Sequence, residues 1–154
     1  FKSGDYVLYG ADTNLLVEIK GRRLAPSGGP AGSCPPSAMQ NWVSREDVAS
    51  LLRWEELFGR GFCAAFVFLY WLGGQPSCAL FEEIIEHKGR WYALRVIAAR
   101  DYARQMRGRS ERWNTVGLRA ATFDRLSGPL LGPARSGALA PQTARIPAPA
   151  GAWS

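Results

Sequence analysis

This 154-residue sequence has one histidine and three cysteines, and few of the features that announce a function outright. His87 stands alone beside an expected turn, so histidine-based triad chemistry has little to use. Cys34, Cys63 and Cys78 are odd in number and lack C-x-x-C spacing. That argues against a disulfide framework or a zinc site and fits a reducing, cytoplasmic compartment. No apolar run approaches the ~20 residues that span a bilayer. The longest, "FCAAFVFLYWLGG", has the length of a core strand or two, and no membrane partner is expected. There is no glycine loop of Walker or Rossmann spacing, no internal repeat and no stretch that reads as a signal peptide.

What remains is an ordinary globular composition, 47% hydrophobic and 21% charged, with an uneven charge distribution. Residues 1–87 hold 7 Lys/Arg against 10 Asp/Glu, whereas residues 88–125 hold 10 against 3. An acidic half that could hold a metal precedes a basic half that could hold phosphates.

Punctuation divides the chain. "DYVLY" and "LLVEIK" read as a hairpin around "GADTN", and residues 21–40, rich in Pro and Gly, read as a flexible loop. Ser44 and Asp47 form an S-x-x-D capping box for a helix that "GRG" ends at 59–61. "FCAAFVFLYWL" reads as a strand buried on both faces, and residues 73–79 as a loop. Two strands, "LFEEIIE" and "RWYALRVIAA", follow around a turn at "HKGR". A short helix is expected at 100–108, a strand over "RWNTVGL" and a last helical turn or two at "AATFDRL". The domain is expected to end at residue 126; residues 127–154, dominated by Gly, Pro, Ala and Ser, read as a disordered tail.

The hairpin carries the chemistry. Strand alternation sets Leu16, Glu18 and Lys20 on one face. Asp5 joins them only if opposed residues sum to an odd number. A four-residue turn at 10–13 sets Asp5 opposite Glu18, and a two-residue turn at 12–13 sets it opposite Lys20. A three-residue turn sends Asp5 to the other face. In the favourable registers two carboxylates come within about 5 Å and repel unless a cation joins them. Hard oxygen donors of this kind suit Mg²⁺ or Mn²⁺. Lys20 could position or deprotonate an attacking water, or neutralise charge developing on phosphorus.

An acid in one strand and E-x-K in the next resembles the PD-(D/E)XK nuclease superfamily, with Gly4 where the motif name has proline. The resemblance implies an α/β, restriction-endonuclease-like core, a mixed central sheet flanked by helices. The chain begins just before the motif without an initiator Met, so the N-terminal helix and strand of that core are expected to be missing. Hairpin, helix and strand recur in the superfamily's order at 5–20, 44–58 and 62–72. The same resemblance implies Asp5 and Glu18 as metal ligands, the main-chain carbonyl of Ile19 as a further ligand, and Lys20 as the water-activating residue. A narrower resemblance covers residues 1 to 126. There, "NLLVEIKGRR", "NWVSREDVASLLRWEELFG", "FVFLYWL", "GRWYALRV" and "RSERWNTVGL" are similar to the bacterial HYExAFE family, whose naming motif this chain lacks. The implied activity is a Mg²⁺- or Mn²⁺-dependent endonuclease acting on DNA in repair, recombination or defence. Relatives of the fold often act as homodimers. The alternative is a non-catalytic nuclease-fold domain that binds nucleic acid or a protein partner.

Supporting groups have two readings each. Arg22 and Arg23 follow the lysine and could touch scissile phosphates or end a solvated strand. Glu55 could face the site or the solvent, and Trp42 and Trp54 could pack or stack on bases. Arg100, Arg104 and Arg107 fall at i, i+4 and i+7 of the expected helix, with Arg109 and Arg112 adjacent. That stripe is the best phosphate-binding candidate, or else a solvated face.

Overall fold

The computed structural model describes residues 4–24, 35–73 and 81–130. Half of the expected loop at 21–40, nearly all of that at 73–79, Cys34, Cys78 and the tail from 131 lie outside the described residues. The first strand, β1 (Tyr6–Leu8), pairs antiparallel with β2 (Asn14–Arg23). Leu8 opposes Leu15, which leaves a four-residue turn at 10–13 once the ladder is carried one step further. Gly10 belongs in that turn because a Cβ there would stand 2.6 Å from the Thr13 carbonyl oxygen.

After a 3₁₀ turn (Pro36–Ala38) and the two-residue β3 (Val43–Ser44) comes α1 (Arg45–Phe58). The expected capping box is present: Ser44 Oγ accepts from the Asp47 N–H at 3.0 Å, and Asp47 Oδ2 accepts from the Ser44 N–H at 3.2 Å. Gly59, at φ 75°, ends the helix. α1 returns the chain to β4 (Phe62–Leu72), which runs parallel to β2 along its whole length. β5 (Ile84–His87) and β6 (Arg90–Ala98) form a hairpin whose turn, Lys88–Gly89, has two positive φ angles. The result is a mixed five-stranded sheet in the order β1-β2-β4-β6-β5. Next come α2 (Ala99–Gln105), β7 (Arg107–Ser110), β8 (Thr115–Gly117) and α3 (Ala120–Leu126). A small antiparallel sheet, β3-β8-β7, completes the α/β architecture.

Period-two burial builds two clusters. On one face Leu16, Phe66, Phe68, Tyr70 and Ile97 pack with Val48 and Leu51 of α1, Tyr102 of α2 and Phe123 of α3. On the other, Val17, Ala65, Val67, Leu94 and Val96 cluster with Leu15, Leu69 and Leu130. The helices therefore gather on the face that carries Glu18 and Lys20.

Three expectations change. β2 continues through Gly21, Arg22 and Arg23 because β4 is long enough to pair with them, Arg22 opposite Tyr70 and Arg23 opposite Trp71. The helix expected at 100–108 stops at Gln105. Met106 is already extended, and residues 107–110 pair with β8, so Arg107 leaves the helical stripe. The expected tail starts too early, because Ser127 is fully buried and Gly128 bridges to Val96. Arg95, buried in β6, fixes this segment through Ser127 Oγ at 2.9 Å and Asp124 Oδ1 at 2.7 Å.

Candidate functional site

Paired residues in the hairpin sum to an odd number: Tyr6 with Val17, Val7 with Leu16, Leu8 with Leu15. Carried one step, that ladder sets Asp5 opposite Glu18. Asp5 adapts this register locally. Its N–H donates to the Val17 carbonyl at 2.9 Å, and its Oδ2 accepts from the Ile19 N–H at 2.8 Å. The carboxylate thus stands where a regular β1 would have offered a main-chain carbonyl. It lies against the backbone of the residue flanked by Glu18 and Lys20. Asp5 also rims an apolar pocket of about 190 Å³ with Leu51, Trp54 and Phe58, which places it on the α1 side.

Glu18 is 4% exposed, on the α1 face. Lys20 Nζ lies 2.7 Å from Glu18 Oε1 and 2.8 Å from Asp47 Oδ2. Asp47, 6% exposed, therefore serves twice: it closes the capping box and pairs with Lys20 across the helix–sheet interface. The sequence had marked it only as a cap. Its S-x-x-D box was the available signal, since a helix start packed on β2 must bring that acid near the strand. Two carboxylates thus contact the Lys20 ammonium, while Asp5 contacts the main chain between Glu18 and Lys20. Glu18 is joined to Lys20, and Asp5 to the Ile19 amide between them; among the described residues no group of three or more His, Cys, Asp or Glu is arranged to hold a metal.

Glu55 faces neither this cluster nor the solvent. Its Oε2 accepts from the Ala64 N–H at 2.5 Å and its Oε1 pairs with Arg100, so both are committed where α1, α2 and β4 meet. Beside it, burial first and Glu55 second push the Cys63 thiol up to about 12. Arg104 is exposed and lies 3.7 Å from Asp101.

The remaining arginines divide between the two faces. Arg23, on the face away from Lys20, lies over Trp71 with Arg90. Arg22 shares the face of Lys20. Its guanidinium donates to the carbonyls of Gly21 at 2.8 Å and Trp42 at 2.6 Å and packs 4.1 Å from the Trp42 ring centre. Its pKa is lowered, chiefly by burial. Arg22 therefore positions Trp42, with Nε buried and unpartnered. Arg109 approaches the same ring at 5.1 Å.

The carbonyls around Trp42 are held from three elements. Tyr70 Oη donates to Gln40 O at 2.8 Å, Tyr102 Oη to Asn41 O at 2.8 Å, and Arg22 to Trp42 O. Burial raises the pKa of both tyrosines, so they remain donors. Asn41 adds two bonds to the Leu118 backbone, at 2.8 and 3.2 Å.

No protein family, curated protein or solved structure matches this chain. Among the described residues, no helix is long and apolar enough to cross a membrane.

Proposed function

We propose that this domain is a divalent-metal-dependent endonuclease acting on DNA, with a restriction-endonuclease-like core of the PD-(D/E)XK type and kinship to the HYExAFE family. The supporting observation is the placement of Lys20 two residues beyond Glu18 on one face, with the Asp5 carboxylate against the intervening amide. The donor types are those Mg²⁺ or Mn²⁺ would take: the carboxylates of Asp5 and Glu18 are hard oxygen ligands, and the Ile19 carbonyl would be a third such donor. When bound, such an ion would polarise a phosphodiester and make an attacking water more acidic.

The protein's own groups supply the rest. Two carboxylates hold the Lys20 ammonium in direction, ready to orient a water or offset charge on a phosphoryl oxygen. Asp47 anchors that ammonium to a helix start, so its position costs little reorganisation.

One observation favours a second reading. Glu18 and Asp47 are buried and both bond to the half-buried Lys20, which is also how a purely structural ion cluster looks. The domain would then bind nucleic acid or a protein partner without cutting. Asp5→Asn separates the two, because Asp5 is exposed and an amide oxygen can still accept from Ile19. With linear, branched and single-stranded DNA plus Mg²⁺ or Mn²⁺, cleavage by the variant is expected to fall at least about a hundredfold. Undiminished cleavage would exclude the proposed mechanism, and no cleavage by the parent chain would leave the binding reading.

A further inference from the structure

β7 and β8 pair regularly at Arg107–Gly117 and Gly108–Val116, but the next pair is Ser110–Thr115. Arg109 is therefore the extra residue of a β-bulge. Bulges re-aim side chains and gather near functional sites; this one brings Arg109 to the Trp42 ring. Below it lies an open pocket of about 410 Å³ whose lining includes Trp42, Gln40, Ser37 and three exposed arginines, Arg107, Arg109 and Arg119. Among the described residues no carboxylate forms an ion pair with any of the three.

The wall of this pocket is preorganised rather than adaptable. Three donors fix the consecutive carbonyls of residues 40–42. Gly117 admits the Trp42 segment closely: a Cβ there would lie 3.4 Å from Asn41 Oδ1 and 3.8 Å from Trp42 Cβ. Arg22 is committed to the main chain, whereas Arg109 is exposed and can exchange its place on the indole for a flat ligand.

We infer that this pocket holds one unpaired nucleotide of a DNA strand, its base against the Trp42–Arg109 surface and its phosphates on Arg107, Arg109 and Arg119. An aromatic face with cations around it and no paired acid is the chemistry of single-strand binding, where stacking is indifferent to sequence. A base inside a duplex presents no free face to the indole. Lys20 and Arg22 are two residues apart on one face of β2, about 7 Å, so the pocket continues the Lys20 cluster along the strand. The inference rests on the nucleic-acid part of the proposed function and names its substrate: DNA with an unpaired segment beside the cleavage point.

Binding is measured by fluorescence anisotropy of labelled oligothymidylate in EDTA, where metal-dependent cutting cannot occur. The parent chain is expected to prefer the single strand to a blunt duplex of equal length by at least about tenfold. Arg109→Ala and Arg119→Ala, both at exposed positions, are each expected to weaken single-strand binding several-fold. Each should also reduce the salt slope by about 0.7. Trp42→Ala is expected to weaken it about tenfold, with circular dichroism verifying the fold. Equal affinity for duplex, or indifference to the arginine substitutions, overturns the inference. Thymidine monophosphate binding as tightly as the oligonucleotide overturns the strand assignment in favour of a free-nucleotide site. Single-strand binding without cleavage in Mg²⁺ or Mn²⁺ sinks the nuclease reading and leaves the pocket standing. Cleavage with pocket variants indifferent sinks the pocket alone.

Discussion

Replacing Lys20 with Met tests whether the cluster at the head of α1 is built to receive a cation. The ammonium contacts two carboxylates at 2.7 and 2.8 Å, with 14% of the lysine side chain exposed and 6% of each acid. Removing one partner of a buried pair costs 3–5 kcal/mol, mainly because the remaining charge stays buried and uncompensated. The partial exposure of Lys20 points to the low end, about 3 kcal/mol. In urea, with m of about 2 kcal/mol/M, that is a midpoint shift of about 1.5 M. In the variant Glu18 and Asp47 lose the Lys20 ammonium, so on the proposed metal reading Mn²⁺ is expected to stabilise it more than the parent chain. At a metal concentration a hundredfold above its dissociation constant the recovery is about 2.7 kcal/mol, nearly the whole loss. Adding Asp5→Asn to Lys20→Met should abolish most of the recovery while leaving the fold intact. The experiment reads stability alone and needs no substrate. If Lys20→Met costs less than about 1 kcal/mol, the cluster is solvated, as surface ion pairs are. If Mn²⁺ shifts the variant no more than the parent, the acids do not converge on a cation and the metal reading fails.

Two further outcomes concern buried titratable groups. Tyr70 and Tyr102, both fully buried, have folded pKa values raised above the reference of 10.0. Their contribution is complete below pH 10 and is lost as pH rises toward the folded values, because the unfolded chain releases these protons first. Stability from urea midpoints should fall above pH 10 by about 1.4 kcal/mol per pH unit for each tyrosine. Tyr70→Phe should remove one share of the slope, and a profile flat to pH 11 would contradict the assignment. Cys63, pushed up to about 12, should hold only about one thiolate in ten thousand at pH 8. Iodoacetamide followed by mass spectrometry should label it only after urea unfolding; rapid labelling of the native chain would place the thiol in a different environment.

Much of the scaffold was legible because local signals agreed with it. Ser44 and Asp47 announced α1, and the unbroken run at 62–72 announced a strand buried on both faces. The hairpin reading turned on loop length, and the four-residue turn gives the odd-sum register over residues 6–8, with Asp5 departing from it locally. What escaped depended on partners distant in sequence. "GRR" reads as the start of a loop until β4 pairs with it. Arg107 reads as helical by spacing, but the backbone becomes extended at Met106 and β8 lies alongside. The bulge at Arg109 follows from unequal residue counts in two paired strands, which neither strand's sequence reveals alone. Asp47 was hidden by its own cap, because local hydrogen bonding already accounted for it. Ser127 was hidden by composition: a Gly- and Pro-rich stretch carries no sign that Arg95 waits for its hydroxyl.

Along the α1 face of β2 the residues read Leu16, Glu18, Lys20, Arg22, from apolar through acidic to basic. The acids and Lys20 are bonded together at the middle of this series, and Arg22 anchors Trp42 at its basic end. On the proposed nuclease reading, a DNA strand has no reason to enter from the acidic end, where its phosphates would face Glu18 and Asp47, with Asp5 on the neighbouring strand. Entry over Trp42 and the free arginines meets only attraction, and the strand would approach the carboxylates last. At that point phosphate and carboxylates can come together only if a cation lies between them. The order of charges along one strand face therefore predicts two separable requirements: binding that needs no metal and is weakened by salt, and a final approach to the acids that needs the metal. A domain whose DNA affinity in EDTA matched that in Mg²⁺ while cleavage required the ion would show both. If binding itself vanished without metal, the acids rather than the Trp42 pocket would govern association.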